Sequence, residues 1–212
     1  MSAKSYHDIV ACVQNNLLSK RNAKFLNSIP CFDKPNGMFM EFHQGDRFQC
    51  LSSTGRYTPA DPGPDKTLPP NGLVYVTCTS PFGKPLMEKF QKFMETQGYS
   101  KYIEIVVVSK TVPTKQVRCD FDEMAATKNI NVDIFQHSEL QIDRTVNVSV
   151  PRYQLFSKDR ALKDLIVSKN AKDLENLPCI QRSEDVVARI LFRVGDYVLV
   201  DNTYGKQLKR IT

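Results

Sequence analysis

His137 and Glu139 stand two positions apart in the run Gln136-His137-Ser138-Glu139-Leu140. On an extended strand that spacing puts both side chains on one face, which suits a pair of metal ligands or a general acid/base pair. A metal centre needs more donors. The other two histidines, His7 and His43, lie far off in the chain, and no HExxH, P-loop or CxxC pattern occurs. A histidine hydrogen-bonded in the interior at a domain junction accounts for His137 without chemistry. The six cysteines (Cys12, Cys31, Cys50, Cys78, Cys119 and Cys179) are widely separated and read as reduced, mostly buried thiols. Cys179, beside Pro178, has no His or Lys neighbour to favour its thiolate, so it reads as a packing residue. No catalytic residue, cofactor or metal is assigned from these positions.

A second chemistry is available to cations. Lys110, Lys115 and Arg118 surround Pro113 between Ser109 and Arg118, where a few placed charges can meet phosphates without reading sequence; an ordinary solvated loop fits as well. The chain carries 29 Lys and Arg against 23 Asp and Glu, a net +6, which favours an anionic partner. Twelve basic and eight acidic residues from Val146 to Thr212 leave +4 there and only +2 elsewhere. No dense basic stripe of an autonomous DNA-binding domain results. At 212 residues, 41% hydrophobic and 25% charged, the composition is that of a folded protein of one or two domains. No apolar run approaches the roughly 20 residues of a membrane span, and Met1 to Asp8 lacks a hydrophobic signal region, so a cytosolic or nuclear home is expected.

These residues must be positioned by strands and helices. Ile9, Val10, Val13 and Leu17 follow helical spacing and predict a long N-terminal helix. Residues 31–43 fit a hairpin or a short helix. Prolines and glycines crowd Thr54 to Pro70, which predicts an exposed, mobile excursion. Leu73 to Thr79 reads as a strand. Leu86, Met87, Phe90, Phe93 and Met94 form a helical stripe ended by Gly98; such stripes are usually core, and a partner peptide is the alternative. Ile103 to Val108 is a β-branched run of the kind buried on both faces, and Ile130, Val132 and Ile134 alternate as a half-buried strand. Val146, Val148 and Val150 alternate again before Ser157 opens a helix with Leu162, Leu165 and Ile166.

The densest signal is Leu177-Pro178-Cys179-Ile180-Gln181-Arg182-Ser183-Glu184-Asp185-Val186-Val187-Ala188. Pro178 biases the chain to an extended form through Ile180. Ser183 can cap a following helix, with Glu184 and Asp185 in its first turn. Val187, Ile190 and Leu191 then share one face, and Gln181 and Arg182 remain to hydrogen-bond a partner. Such a block suits a docking surface rather than chemistry on a substrate.

This block resembles the signature of the fifth subunit shared by the nuclear RNA polymerases, whose C-terminal part alone makes up an entire small subunit of the archaeal enzymes. Leu177, Pro178, Ile180, Gln181, Arg182, Val187 and Ala188 match the family pattern in order and without gaps, and Asp185 takes the aspartate place. Val186 stands where the family has proline. Arg193-Val194-Gly195-Asp196 and the strand after it are similar too, while Asn202-Thr203-Tyr204-Gly205-Lys206 is a shorter final turn than the family's. Upstream, the strand from Leu73, the helix from Lys84, the strand from Ile103, the turn at Pro113-Thr114 and His137-Ser138-Glu139-Leu140 resemble the N-terminal domain. Residues 141–149 look inserted before Val150-Pro151-Arg152, and 44–72 have no counterpart.

The resemblance implies an α/β (α+β) fold in two small domains. Residues 1–140 would form a strand-helix-strand jaw domain with the Pro/Gly-rich excursion near 44–72, and 141–212 a mixed-sheet assembly module. It implies a non-catalytic, divergent subunit of a multisubunit DNA-directed RNA polymerase, with no cofactor and no homo-oligomer. Pro178, Ile180, Gln181, Arg182, Asp185 and Val187 would bind the largest subunit, with other polymerase subunits nearby. Lys110, Lys115 and Arg118 would face downstream duplex DNA. The implied location is the nucleus, nucleolus included, or the cytoplasm if a large DNA virus encodes the chain. Two rivals from other classes are a stand-alone nucleic-acid-binding adaptor and a small metal-dependent hydrolase built on His137 and Glu139.

Overall fold

The computed structural model describes residues 3–32, 36–44, 49–51, 57–59, 71–77, 82–146, 150–156 and 176–212. At the N-terminus Ile9, Val13 and Leu17 are buried as their spacing predicts, yet the helix does not keep one pitch. α1 (Ala3–Val13) widens into a π-helical turn over Gln14–Leu18 and tightens to a 3₁₀ turn over Ser19–Arg21. The pitch change buries both Leu17 and Leu18 and then Arg21. Asn22, left-handed at φ 53°, a conformation asparagine tolerates, turns the chain into a strand.

That strand, β1 (Ala23–Ile29), pairs antiparallel with β2 (Gly37–Gln44); residues 31–43, expected as a hairpin or a short helix, therefore supply one strand of a hairpin whose other strand lies upstream of them. Next come β3 (Gln49–Leu51), β4 (Tyr57–Pro59), β5 (Asn71–Thr77), α2 (Lys84–Gln97), β6 (Glu104–Ser109), α3 (Lys115–Lys128), β7 (Asn131–Gln136) and the short α4 (His137–Leu140). Among the described residues the first sheet runs β1-β2-β5-β6-β7, with β5, β6 and β7 parallel. Every residue of β6 is buried, as a continuous apolar run between two covered faces requires. β7 is covered on both faces as well. Val132 and Ile134 are half-buried as expected, but the intervening Asp133 and Phe135 are buried more deeply.

One face of this sheet carries Phe39, Leu73, Tyr75, Ile105 and Val107 and packs with Met87, Phe90 and Met94 of α2 and Phe121 of α3 in one core cluster. Each such side chain withdrawn from water contributes about 1.5–3 kcal/mol, and the stacked rings Phe39–Phe93 at 4.2 Å and Phe39–Tyr75 at 4.6 Å add geometry. The stripe read from sequence is therefore core. Gly98 closes α2 at φ 86°, its N–H reaching the Met94 carbonyl at 2.9 Å. On the opposite face Phe42 lies over Gly72, where any Cβ would strike the ring.

The second sheet has the order β4-β3-β8-β10-β11-β9 among the described residues. Its further members are β8 (Arg152–Phe156), β9 (Cys179–Ile180), β10 (Tyr197–Asn202) and β11 (Gly205–Ile211), with α5 (Val186–Leu191) between β9 and β10. Together these make an α+β protein. The chain separates into two compact units, Met1–Gly45 with Thr67–Ile142 and Asp46–Lys66 with Asp143–Thr212. The excursion near 44–72, expected in the first domain, is thus grouped largely with the second, because β3 pairs antiparallel with β8. Pro59 fits at the end of β4, which among the described residues pairs only with β3, the kind of edge position to which proline is confined in sheets. Val146 is also corrected: it ends a 3₁₀ turn, Arg144–Val146, rather than opening a strand. The helix expected from Ser157 lies outside the described residues, as do Val148 and most of the Thr54 to Pro70 stretch.

Candidate functional site

The block from Leu177 to Ala188 is extended and then helical, and its backbone is fastened to β11. The Arg210 N–H donates to the Pro178 carbonyl at 2.9 Å, the Thr212 N–H to the Ile180 carbonyl at 3.0 Å and the Arg182 N–H to the Thr212 carbonyl at 2.9 Å. These bonds hold β9 parallel to β11 at the end of the sheet. Leu177 is buried beneath, Ile180 is half-buried, and Pro178, Cys179 and Gln181 are exposed. Cys179, expected among the buried thiols, is thus a surface residue, as is Cys119.

The helix start differs from expectation. Asp185, not Ser183, is the N-cap, and its Oδ1 accepts from the Val187 N–H at 2.8 Å and the Ala188 N–H at 3.1 Å. Ser183 falls inside the turn that precedes it. A carboxylate at that place satisfies two orphan donors and meets the positive end of the helix. Tyr153 lies in the same neighbourhood: burial foremost, and the Asp185 charge second, push its phenol up to about 12. Ala188, Ile190 and Leu191 are buried, and Val187 is half-buried. Arg182 is not reserved for a partner. Its Nη2 donates to the Arg189 carbonyl at 3.2 Å, which satisfies one of the last carbonyls of α5 from within the chain.

Lys110, Lys115 and Arg118 are all exposed. They do not share one loop, because α3 begins at Lys115 and the Arg118 N–H already donates to the Thr114 carbonyl at 3.1 Å. Thr114 caps this helix, its hydroxyl accepting from the Val117 N–H at 3.4 Å. Two of the three cations therefore stand in the first turn of a helix, whose own dipole adds positive potential.

His137 and Glu139 do not share a strand face, because β7 ends at Gln136 and both residues belong to α4. Glu139 is committed to a capping box, accepting the Gln136 N–H at 2.8 Å. His137 is buried, and its ring hydrogen-bonds the Thr77 backbone. Burial is the largest influence on its pKa and lowers it; the Thr77 bond opposes that, and the Lys110 charge adds to it. Among the described residues no group of three or more His, Cys, Asp or Glu side chains is placed to hold a metal ion.

Sequence reasoning missed a buried ionic cluster. Arg21, Glu104 and Asp133 are all buried; Arg21 bonds Glu104, and its Nη2 donates to Asp133 Oδ2 at 2.7 Å. The guanidinium also lies 5.9 Å from the Phe135 ring centroid. Burial by itself lowers the Arg21 pKa, but the two carboxylate charges and their hydrogen bonds together outweigh it and raise the value. The signal was two acidic residues set inside apolar strand patterns, Glu104 before Ile105 and Asp133 between Val132 and Ile134.

Fold and site define an α+β protein of two units that presents exposed cations on the first and a fastened edge block on the second. No family model matches the chain, and no curated protein matches it well enough to stand as a relative. No helix among the described residues is long and apolar enough to cross a membrane.

Proposed function

We propose that this chain is a non-catalytic subunit of a multisubunit DNA-directed RNA polymerase, docking on the largest subunit through its C-terminal unit. The observation that carries the reading is the ungapped order Leu177, Pro178, Ile180, Gln181, Arg182, Val187, Ala188, with Asp185 between. Its geometry supports that role: the backbone is held rigidly by β11 while Pro178 and Gln181 face outward, so little order is lost on docking. Within the same proposal, Lys110, Lys115 and Arg118 contact a few phosphates of downstream duplex, and the chain works in the nucleus or with a viral polymerase in the cytoplasm. Affinity purification from the source cells tests this, with large polymerase chains expected in stoichiometric amounts. Recovery of a free monomer alone sinks it.

The exposed cations at the start of α3 also favour a second reading, a stand-alone nucleic-acid-binding adaptor. It requires the isolated protein to bind duplex at physiological salt, whereas the polymerase reading requires the assembled enzyme. Neutralising all three cations in that enzyme is expected to weaken DNA retention and reduce its salt slope by up to about 3, near 0.9 per phosphate lost.

A further inference from the structure

Helices α2 and α3 pack beside one another, and between their outward faces runs an open groove of about 390 Å³. Met87 and Met124 floor it, only 1% and 5% exposed. Four carboxylates stand along its walls, Glu88 and Glu95 on α2 and Asp120 and Glu123 on α3, against the two ammonium groups of Lys84 and Lys128. The lining is therefore net −2 in a chain that is net +6, opposite in sign to the protein around it. Among the described residues no ion pair neutralises Glu88, Glu95 or Glu123, while Asp120 accepts a hydrogen bond from Gln116. At one end Lys128 lies over the Tyr99 ring, 5.4 Å from its centroid, so that ring is already covered by the chain's own cation.

We propose that this groove is a docking site for a basic, lysine- or arginine-bearing segment of a partner protein. The charges decide the occupant. Phosphates are repelled by the four carboxylates, whereas ammonium or guanidinium heads reach them from the open side of the groove. Lys84 to Glu95 spans about 16 Å at 1.5 Å per residue, room for roughly three helical turns of the partner. This site is independent of the polymerase reading, because its lining includes no residue of the C-terminal block and none of Lys110, Lys115 and Arg118.

The test uses the full chain and a fluorescein-labelled peptide of about twelve residues built from lysine and leucine at helical spacing, with its glutamate/leucine counterpart as control. Fluorescence polarisation should show binding of the basic peptide only, weakening with salt. The variant Glu88→Gln/Glu95→Gln/Asp120→Asn/Glu123→Gln should bind roughly tenfold or more weakly, and Thr127→Glu, which adds a wall carboxylate, should bind more tightly. Methyl NMR should shift Met87 and Met124 and leave Met38 and Met40 unchanged. The proposal is overturned by absence of binding, by equal binding of the neutralised variant or the acidic peptide, or by shifts confined to other methionines. Self-association of the chain that the same four substitutions abolish would also overturn it, handing the groove to a second copy.

Discussion

Replacing Arg21 with methionine tests whether the buried ionic cluster is what ties the N-terminal helix to the sheet. The guanidinium touches Glu104, which is fully buried, and Asp133, 6% exposed; methionine keeps the apolar stem but leaves two carboxylates in the interior without their cation. Breaking one buried pair by removing a partner costs about 3–5 kcal/mol, and here one cation serves two anions. Against the roughly 5–15 kcal/mol that holds an ordinary domain folded, the loss approaches the whole stability of the first unit. At roughly 3–5 °C per kcal/mol for a unit of this size, its melting midpoint should fall by about 10–20 °C. The chain has no tryptophan, so circular dichroism and amide hydrogen exchange resolved by unit are the suitable assays. Partial recovery is expected in Arg21→Met/Glu104→Gln/Asp133→Asn, because the stranded charges go with their partner. A loss in Arg21→Met below about 1 kcal/mol, or a triple variant no better than the single one, would refute the role given to the cluster.

His137 should give the first unit a pH-dependent component of stability. Its folded pKa is lowered from the ordinary 6.5, chiefly by burial, so below that value the unfolded chain binds the proton more readily. The contribution is present above pH 6.5 and is lost as pH falls through the folded value; unfolding curves of wild type and His137→Asn should therefore converge on acidification, and parallel curves would contradict the assignment. At the other end of the chain, Asp185→Ala removes both N-cap bonds and should cost about 0.5–2 kcal/mol in urea unfolding. Val186→Pro should instead stabilise by about 0.4–1 kcal/mol, because the caps reach Val187 and Ala188 and leave the first helical N–H unused. A destabilised proline variant would mean that this N–H is engaged.

The parts legible in the sequence are those whose forces are local. The stripe Leu86, Met87, Phe90, Met94 and the terminator Gly98 announce α2, because spacing and a positive φ are properties of neighbouring residues. The β-branched run before Ser109 announces a strand covered on both sides for the same reason. What stayed hidden depends on distant partners. Arg21 meets Glu104 and Asp133 across 83 and 112 positions; the apolar neighbours of the two acids mark them as buried, but nothing near them names Arg21 as their partner. The pairing of Cys50 with Gln154 that draws part of the Pro/Gly-rich segment into the second sheet spans a comparable gap. At the α5 cap, Ser183 and Asp185 were both chemically fit, and only the turn at 182–184 decides for the aspartate.

That choice of cap reshapes what the C-terminal block can offer a partner. With Asp185 turned into the helix and Arg182 donating to the Arg189 carbonyl, two of the polar residues in the sequence pattern act within the unit. The outward groups are Pro178 and Gln181, flanked by the half-buried Ile180 and Val187. Substitutions divide accordingly. Loss of Arg182 or Asp185 acts on α5 and lowers the stability of the unit, and affinity falls only as a consequence. On the proposed reading, loss of Pro178 or Gln181, both exposed, is expected to leave the fold intact and to act on docking alone. Conservation of all four residues in a pattern would thus record two different pressures, one on folding and one on recognition, and only the second identifies the surface a partner touches.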